Sequence, residues 1–261
     1  MTFWPNLAWT AFRERAGDDR AIALLPVASI EQHGPHLPVF TDTLIGEAIA
    51  GRAEGACADD GVPVLRLPAL CYGHSNEHTE FPGTVTLSSQ TLLAVLDDVG
   101  ASVARAGVGR LVLLNTHGGN TALLQVAARD IRQRHGLMVA CVNPMSAIDA
   151  RRGDGGIPEM EARFGIHAGL VETSVMLALH PELVDMAAAA GRPPDVLAST
   201  SHLGFAGPNT VAWLASDLAA DGVLGDPRGA TAEAGQAHLT QAVDAARTAL
   251  AEFSTLRFRP A

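Results

Sequence analysis

Residues 21–30, AIALLPVASI, carry no charge and only one polar side chain, Ser29. An unbroken apolar run of this length, with Arg20 before it and a polar loop after it, predicts a strand buried on both faces of a mostly parallel sheet. Three later stretches read the same way: VPVLRLPAL at 62–70, RLVLLN at 110–115 and LMVACVNP at 137–144. Between them the apolar spacing becomes helical. Helices are predicted over 43–61, 88–107 and 121–136, each closed by a glycine. Ser88 and Ser89 suit a helix start, whereas Gly51 and Gly55 weaken the pattern of the first helix. Further on, 147–165 is charged and Gly-rich, the composition of an excursion covering a site. Residues 167–186 read as a helix stopping near His180, just before Pro181. Residues 191–210 are irregular, 211–222 fit strand or helix equally, and 229–253 form a long amphipathic helix. Strand, loop and helix in repetition specify a three-layer α/β fold with helices on both faces of the sheet. There is no internal repeat and no linker, so one domain spanning 1–261 is expected.

In such folds, sites form at the C-terminal edge of the strands. Two polar motifs stand there. IEQHGPHLPVFTD (30–42) follows the first strand and THGGN (116–120) the third. Aspartate, glutamate and neutral histidine are the oxygen and nitrogen ligands of zinc, manganese and iron. Glu31 and His33 are two residues apart, Asp42 returns nine residues later, His117 leaves the third strand, and Glu172 lies in the later helix. Convergence of these five from separate elements is what a hydrolytic metal centre requires. Each also has an ordinary reading. Asp42 fits as a cap of the helix starting at Thr43, Glu31 as an ion-pair partner, and a histidine after a strand as a hydrogen-bonded core residue. THGGN is no phosphate loop, since it lacks the Lys-Ser/Thr pair. The long polar loop 71–87 offers Tyr72, His74, Glu77, His78, Glu80 and Phe81 as substrate contacts, and His36 of the first motif fits a residue orienting a ligand or substrate. An ordinary polar loop with Phe81 tucked into the core is the competing reading.

Composition narrows the classes. Eighteen basic against 28 acidic residues give a net charge of -10, and no sizeable Lys/Arg cluster exists for neutralising phosphates. No nucleic-acid partner is expected. Cys57, Cys71 and Cys141 form no CxxC pair and read as plain thiols. The N-terminus shows no secretory pattern and no apolar run is long enough to span a bilayer, so a cytoplasmic setting without membrane contact is expected.

The stretches VASIEQHGPHLPVFTDT, EFPGTVTLS, LVLLNTHGGN, GIHAGLVETSVML and GVLGDPRGAT resemble the creatininase (creatinine amidohydrolase) family across nearly the whole chain. The resemblance implies an α/β fold with two divalent metal ions (zinc, manganese or iron), hydrolysis of amide or lactam-like C–N bonds, and a homo-oligomer, commonly a hexamer. It implies Glu31, His33, Asp42 and His117 as metal ligands, with Asp42 as the bridge. Glu172 resembles a further ligand or a catalytic residue beside the metals, and His167 the histidine that protonates the leaving nitrogen. Creatininase carries an acidic ligand two residues after the histidine matching His117, where this chain has Gly119; Glu172 is the expected replacement. That departure resembles the HGGN branch, which includes a formylaminopyrimidine deformylase and a mycofactocin peptidase. Creatininase also encloses creatinine with tryptophans, and residues 146–165 here have none. The implied activity is metal-dependent cleavage of an amide, lactam or formamide bond in a small molecule. The alternatives are a peptidase trimming a short or modified peptide, and a non-catalytic metal-binding assembly protein.

Overall fold

The computed structural model describes residues 3–15, 17–148, 157–205, 207 and 209–258. Strands β1 (Ile22–Val27), β2 (Val64–Arg66), β3 (Arg110–Asn115) and β4 (Met138–Val142) form one parallel sheet in the order β2-β1-β3-β4. The helices, in chain order, are α1 (Trp9–Arg15), α2 (Thr41–Asp59), α3 (Ser89–Arg105), α4 (Thr121–His135), α5 (Glu159–Phe164), α6 (Leu170–Leu179), α7 (Ala215–Leu218) and α8 (Ala232–Thr255).

Every residue of β1 and β3 is buried. Successive side chains of a strand point to opposite faces. Ile22, Leu24, Val112 and Leu114 therefore meet Ile45 and Ile49 of α2, Met176 of α6 and Leu239 of α8 on one side. Ala23, Leu25, Leu111 and Leu113 meet Leu92 and Leu96 of α3 and Leu124 and Ile131 of α4 on the other. Each fully buried Leu or Ile contributes about 1.5–3 kcal/mol of transfer free energy, so both layers are driven onto the sheet. The expected α/β architecture with helices on both faces is what the chain adopts. On the α6–α8 side, a Cβ at Gly235 would overlap the backbone carbonyl of Ser174, so glycine allows the two helices to approach this closely.

The chain passes from β1 through α2 to β2, then crosses back through α3 to β3 on the other side of β1. The winding direction reverses between β1 and β3. Their loops part there and leave a crevice at the C-terminal ends of the strands.

Several boundaries differ from the sequence expectation. The second strand ends at Arg66, not near residue 70, because the rung after Leu67 comes from Leu70, three residues on instead of two, which breaks the regular ladder. The chain still follows β1, since Leu67 and Leu70 donate to the carbonyls of Leu24 and Pro26, both at 2.9 Å. β1 ends at Val27 and the backbone turns into the crevice. α2 starts at Thr41, whose N–H and hydroxyl both bond the Pro38 carbonyl. Asp42 is thus not the cap; it lies in the first turn, where the helix dipole favours a carboxylate. Residues 149–156 of the expected excursion lie outside the described residues, and its later part contains α5. The ambiguous segment 211–222 forms only α7.

Candidate metal centre

The loop after β1 is anchored from several sides. Thr43 Oγ1 donates to the Ser29 carbonyl at 2.9 Å, Asn120 Nδ2 to the Ala28 carbonyl at 3.1 Å, and Thr116 Oγ1 to the Asp42 carbonyl at 2.9 Å. These bonds hold the β1 loop, the start of α2 and the β3 turn together. Glu31, His33, Asp42 and His117 are buried there, and α6 brings Glu172 to the same place.

Nδ1 of His33 donates to the Glu31 carbonyl at 3.1 Å, which leaves the lone pair on Nε2. That nitrogen lies 3.4 Å from Asp42 Oδ1 and 4.0 Å from Glu172 Oε2. Nε2 of His117 donates to the His74 carbonyl at 2.8 Å. Its Nδ1 lies 3.2 Å from both Glu31 Oε2 and Asp42 Oδ2. A nitrogen lone pair facing two carboxylate oxygens at that distance is repulsive unless a proton or a cation stands between them. Two buried atoms of the group, Glu31 Oε2 and His33 Nε2, have no hydrogen-bond partner among the described residues. Their ligand atoms form three sets able to hold an ion: Glu31, Asp42 and His117; His33, Asp42 and Glu172; and Glu31, His33 and His167. The mixed carboxylate and imidazole donors suit zinc, manganese or iron.

The titration behaviour agrees. Burial pulls His33 down, but Asp42 and Glu172 outweigh it and push it up to about 9. Burial likewise opposes protonation of His117, and Glu31 and Asp42 override it. Burial raises Glu172 to about 7. Burial pushes Asp42 up, yet His33 and His117 hold it well below its usual value. The cluster therefore attracts positive charge. Without metal, protons sit on His33 below about pH 9 and on Glu172 below about pH 7. An arriving cation must displace them. Calorimetric titration of the metal-free protein at pH 6.5, in buffers of different ionisation heat, is expected to show release of about one to two protons per ion, with affinity rising toward pH 9. Binding without proton release would contradict this.

His167 and His78 flank the Glu31 carboxylate. His167 Nδ1 and His78 Nε2 each lie 3.5 Å from Glu31 Oε1. Burial, reinforced by His33, holds His167 well below its usual pKa, and burial takes His78 to about 3. Both are neutral imidazoles near pH 7. Gln32, which sequence reasoning passed over, ties them together. Its side-chain amide contacts His78 Nδ1 at 2.8 Å and donates to the Gly222 carbonyl at 3.0 Å, while the Gln32 backbone carbonyl accepts from His167 Nε2 at 2.7 Å. Ser29 was also missed; its hydroxyl donates to Asp42 Oδ2 at 2.5 Å.

The other sequence candidates divide. His36 is buried and bonded to Thr173 Oγ1 at 3.0 Å. Glu77 Oε1 comes within 3.8 Å of His117 Nε2, and His74 contributes its carbonyl. Tyr72 and Glu80 are exposed, Phe81 is half-buried, and none makes a polar side-chain contact with the cluster among the described residues. A cavity of about 350 Å³ adjoins the cluster, lined by Met145, Ile148, Ile166, His167, Val171 and Glu172.

The creatininase family model, creatinine amidohydrolase, matches residues 5–250. The chain belongs to the creatininase family. Within that family it is 35% identical over 229 residues to the mycofactocin precursor peptide peptidase of Mycobacterium ulcerans, covering 85% of this chain and 81% of the relative. It is 31% identical over 206 residues to the creatinine amidohydrolase of Pseudomonas putida, covering 74% of this chain and 77% of that protein. Its fold superposes on the crystal structure of creatinine amidohydrolase with a TM-score of 0.76 at 26% identity, covering 98% of this chain and 99% of that one. Family membership and the three ligand sets together fit a hydrolase. No helix among the described residues is long and apolar enough to cross a membrane.

Proposed function

We propose that this creatininase-family chain is a metal-dependent amidohydrolase that cleaves an amide bond of a short or modified peptide. The observation carrying the hydrolase reading is the placement of the His33 and His117 lone pairs against the carboxylates of Asp42 and Glu31. The peptide is favoured over a small lactam by relatedness, since identity to the peptide peptidase is higher and extends over more of the chain than identity to the creatinine enzyme. The tryptophan-free segment 146–165 and the aliphatic side of the adjoining cavity support the same choice. The small-molecule substrate expected first from the sequence becomes the second reading, kept by the likeness to creatinine amidohydrolase.

In this reading Glu31, His33, Asp42, His117 and Glu172 hold two divalent ions. Asp42 would serve both, because its two oxygens face different histidines. When bound, such ions polarise the scissile carbonyl and acidify a water molecule. His167 handles the proton. Its Nε2–H is committed to the Gln32 carbonyl, so Nδ1 is the free basic atom, and it stands on the Glu31 side. A neutral imidazole accepts a proton at Nδ1 and returns it to the leaving nitrogen. Gln32 fixes the tautomer and ring orientation that this requires. One domain over 1–261, a homo-oligomer and a cytoplasmic setting complete the proposal.

The test pairs a substrate panel with one variant. Short peptides are expected to be turned over faster than lactams or formamides once zinc, manganese or iron is restored. His167→Ala is expected to lower kcat about 10²–10⁴-fold with metal content unchanged. Loss of metal along with activity would reassign His167 to ligation.

A further inference from the structure

We infer that Glu77 is a positioning residue of the metal centre, acting through the outer nitrogen of His117 in space that the glycine at 119 leaves open. The inference rests on the metal-centre reading above. Glu77 stands in the tight turn Asn76–His78, next to His78, which faces Glu31. Its Oε1 lies 3.8 Å from His117 Nε2. The same nitrogen donates to the His74 carbonyl at 2.8 Å and lies 3.3 Å from Ser75 Oγ. One loop therefore brackets the side of the imidazole opposite to the one facing Glu31 and Asp42.

Gly119 explains how the carboxylate fits. Its φ is not in the left-handed region, so backbone conformation does not demand glycine there. A Cβ would overlap Glu77 Oε1 and lie 2.5 Å from both His117 Nε2 and the His74 carbonyl. Any side chain at 119 would expel the Glu77 carboxylate or push the histidine off its acceptor. Glu172 remains the carboxylate that replaces the acid absent from position 119, and Glu77 adds a second one from another loop, at one remove. It stands behind the histidine.

The His74 carbonyl, which takes the N–H, fixes the ring, and the Glu77 charge behind it raises the basicity of the nitrogen facing the ion. The Glu77 side chain is only 16% exposed, so its charge is poorly screened by water. Its loss should therefore be felt at the ion while leaving the fold intact.

The experiment titrates metal-free protein with Zn²⁺ in competition with a chromophoric chelator. Glu77→Gln keeps the shape and removes the charge; it is expected to weaken zinc binding about 10–100-fold with an unchanged thermal melt of the metal-free protein. Glu77→Asp keeps the charge one methylene further away and is expected to fall between Gln and wild type. It also serves should the Gln variant fail to fold. A purely structural role for Glu77 predicts that Gln behaves as Glu does. Zinc affinity of Glu77→Gln within twofold of wild type, with His117→Ala still losing zinc, overturns the inference alone. Wild-type affinity in His117→Ala overturns the metal-centre reading and this inference with it.

Discussion

Asp42→Asn is expected to lower kcat/KM by about 10³-fold or more, equivalent to about 4 kcal/mol of transition-state stabilisation, and to reduce the metal bound per chain. Asp42 belongs to two of the three ligand sets. One oxygen faces His33 at 3.4 Å and the other faces His117 at 3.2 Å while accepting from Ser29. Asparagine is nearly isosteric, but one of these oxygens becomes an NH₂ that repels a cation, and the remaining carbonyl oxygen carries no full charge. The fold should survive. The charge lost from the first turn of α2, which is buried, is worth up to about 2 kcal/mol. Kinetics on the restored metal, with metal content by mass spectrometry, check both halves. An Asn variant with full metal and wild-type turnover would remove Asp42 from the chemistry.

Chelation is the second large effect. Stripping the ions should abolish turnover, and adding them back should restore it. Stability should follow. An ion at 1,000 times its dissociation constant stabilises the folded state by about 4 kcal/mol. At about 2–4 °C per kcal/mol for a chain of this size, the melting temperature should rise by about 8–16 °C on reloading. The reason is local: the metal-free site holds buried carboxylates against imidazoles that need protons to keep them from repelling, and the ion replaces those protons with stronger charge. Identical melts and rates before and after chelation would contradict the metal-dependent reading.

Much of the arrangement was legible in the sequence. β1 and β3 are buried on both faces, so their apolar runs are unbroken and conspicuous. The motifs directly after them had to lie at the strand ends, and the structure does gather Glu31, His33, Asp42, His117 and Glu172 there. β2 was harder to bound, because apolar composition continues past Leu67, where the regular spacing of its rungs to β1 breaks. Gln32 left no signal, since an amide between two ligand candidates acquires meaning only from Gly222, 190 residues away, and from His78, while its backbone carbonyl takes the His167 N–H. The loop 71–87 was read as substrate-facing by composition. Composition does not say which way side chains turn, and there His78 and Glu77 point inward while Tyr72 and Glu80 face solvent. Gly119 registered as a missing acid, and its steric role became visible only with Glu77 beside it.

The β1–β3 ladder carries one more consequence. It pairs Val27 with Asn115, which sets Glu31 four residues and His117 two residues beyond a fixed rung. A slip by one residue would shift a strand by about 3.3 Å and exchange its faces. In the metal-dependent reading, an ion held by Glu31 and His117 would stabilise only the aligned ladder. Chains that fold without the ion would then spend longer in opened forms that proteases degrade, and the amount of protein in a cell is expected to fall when divalent metal is withheld.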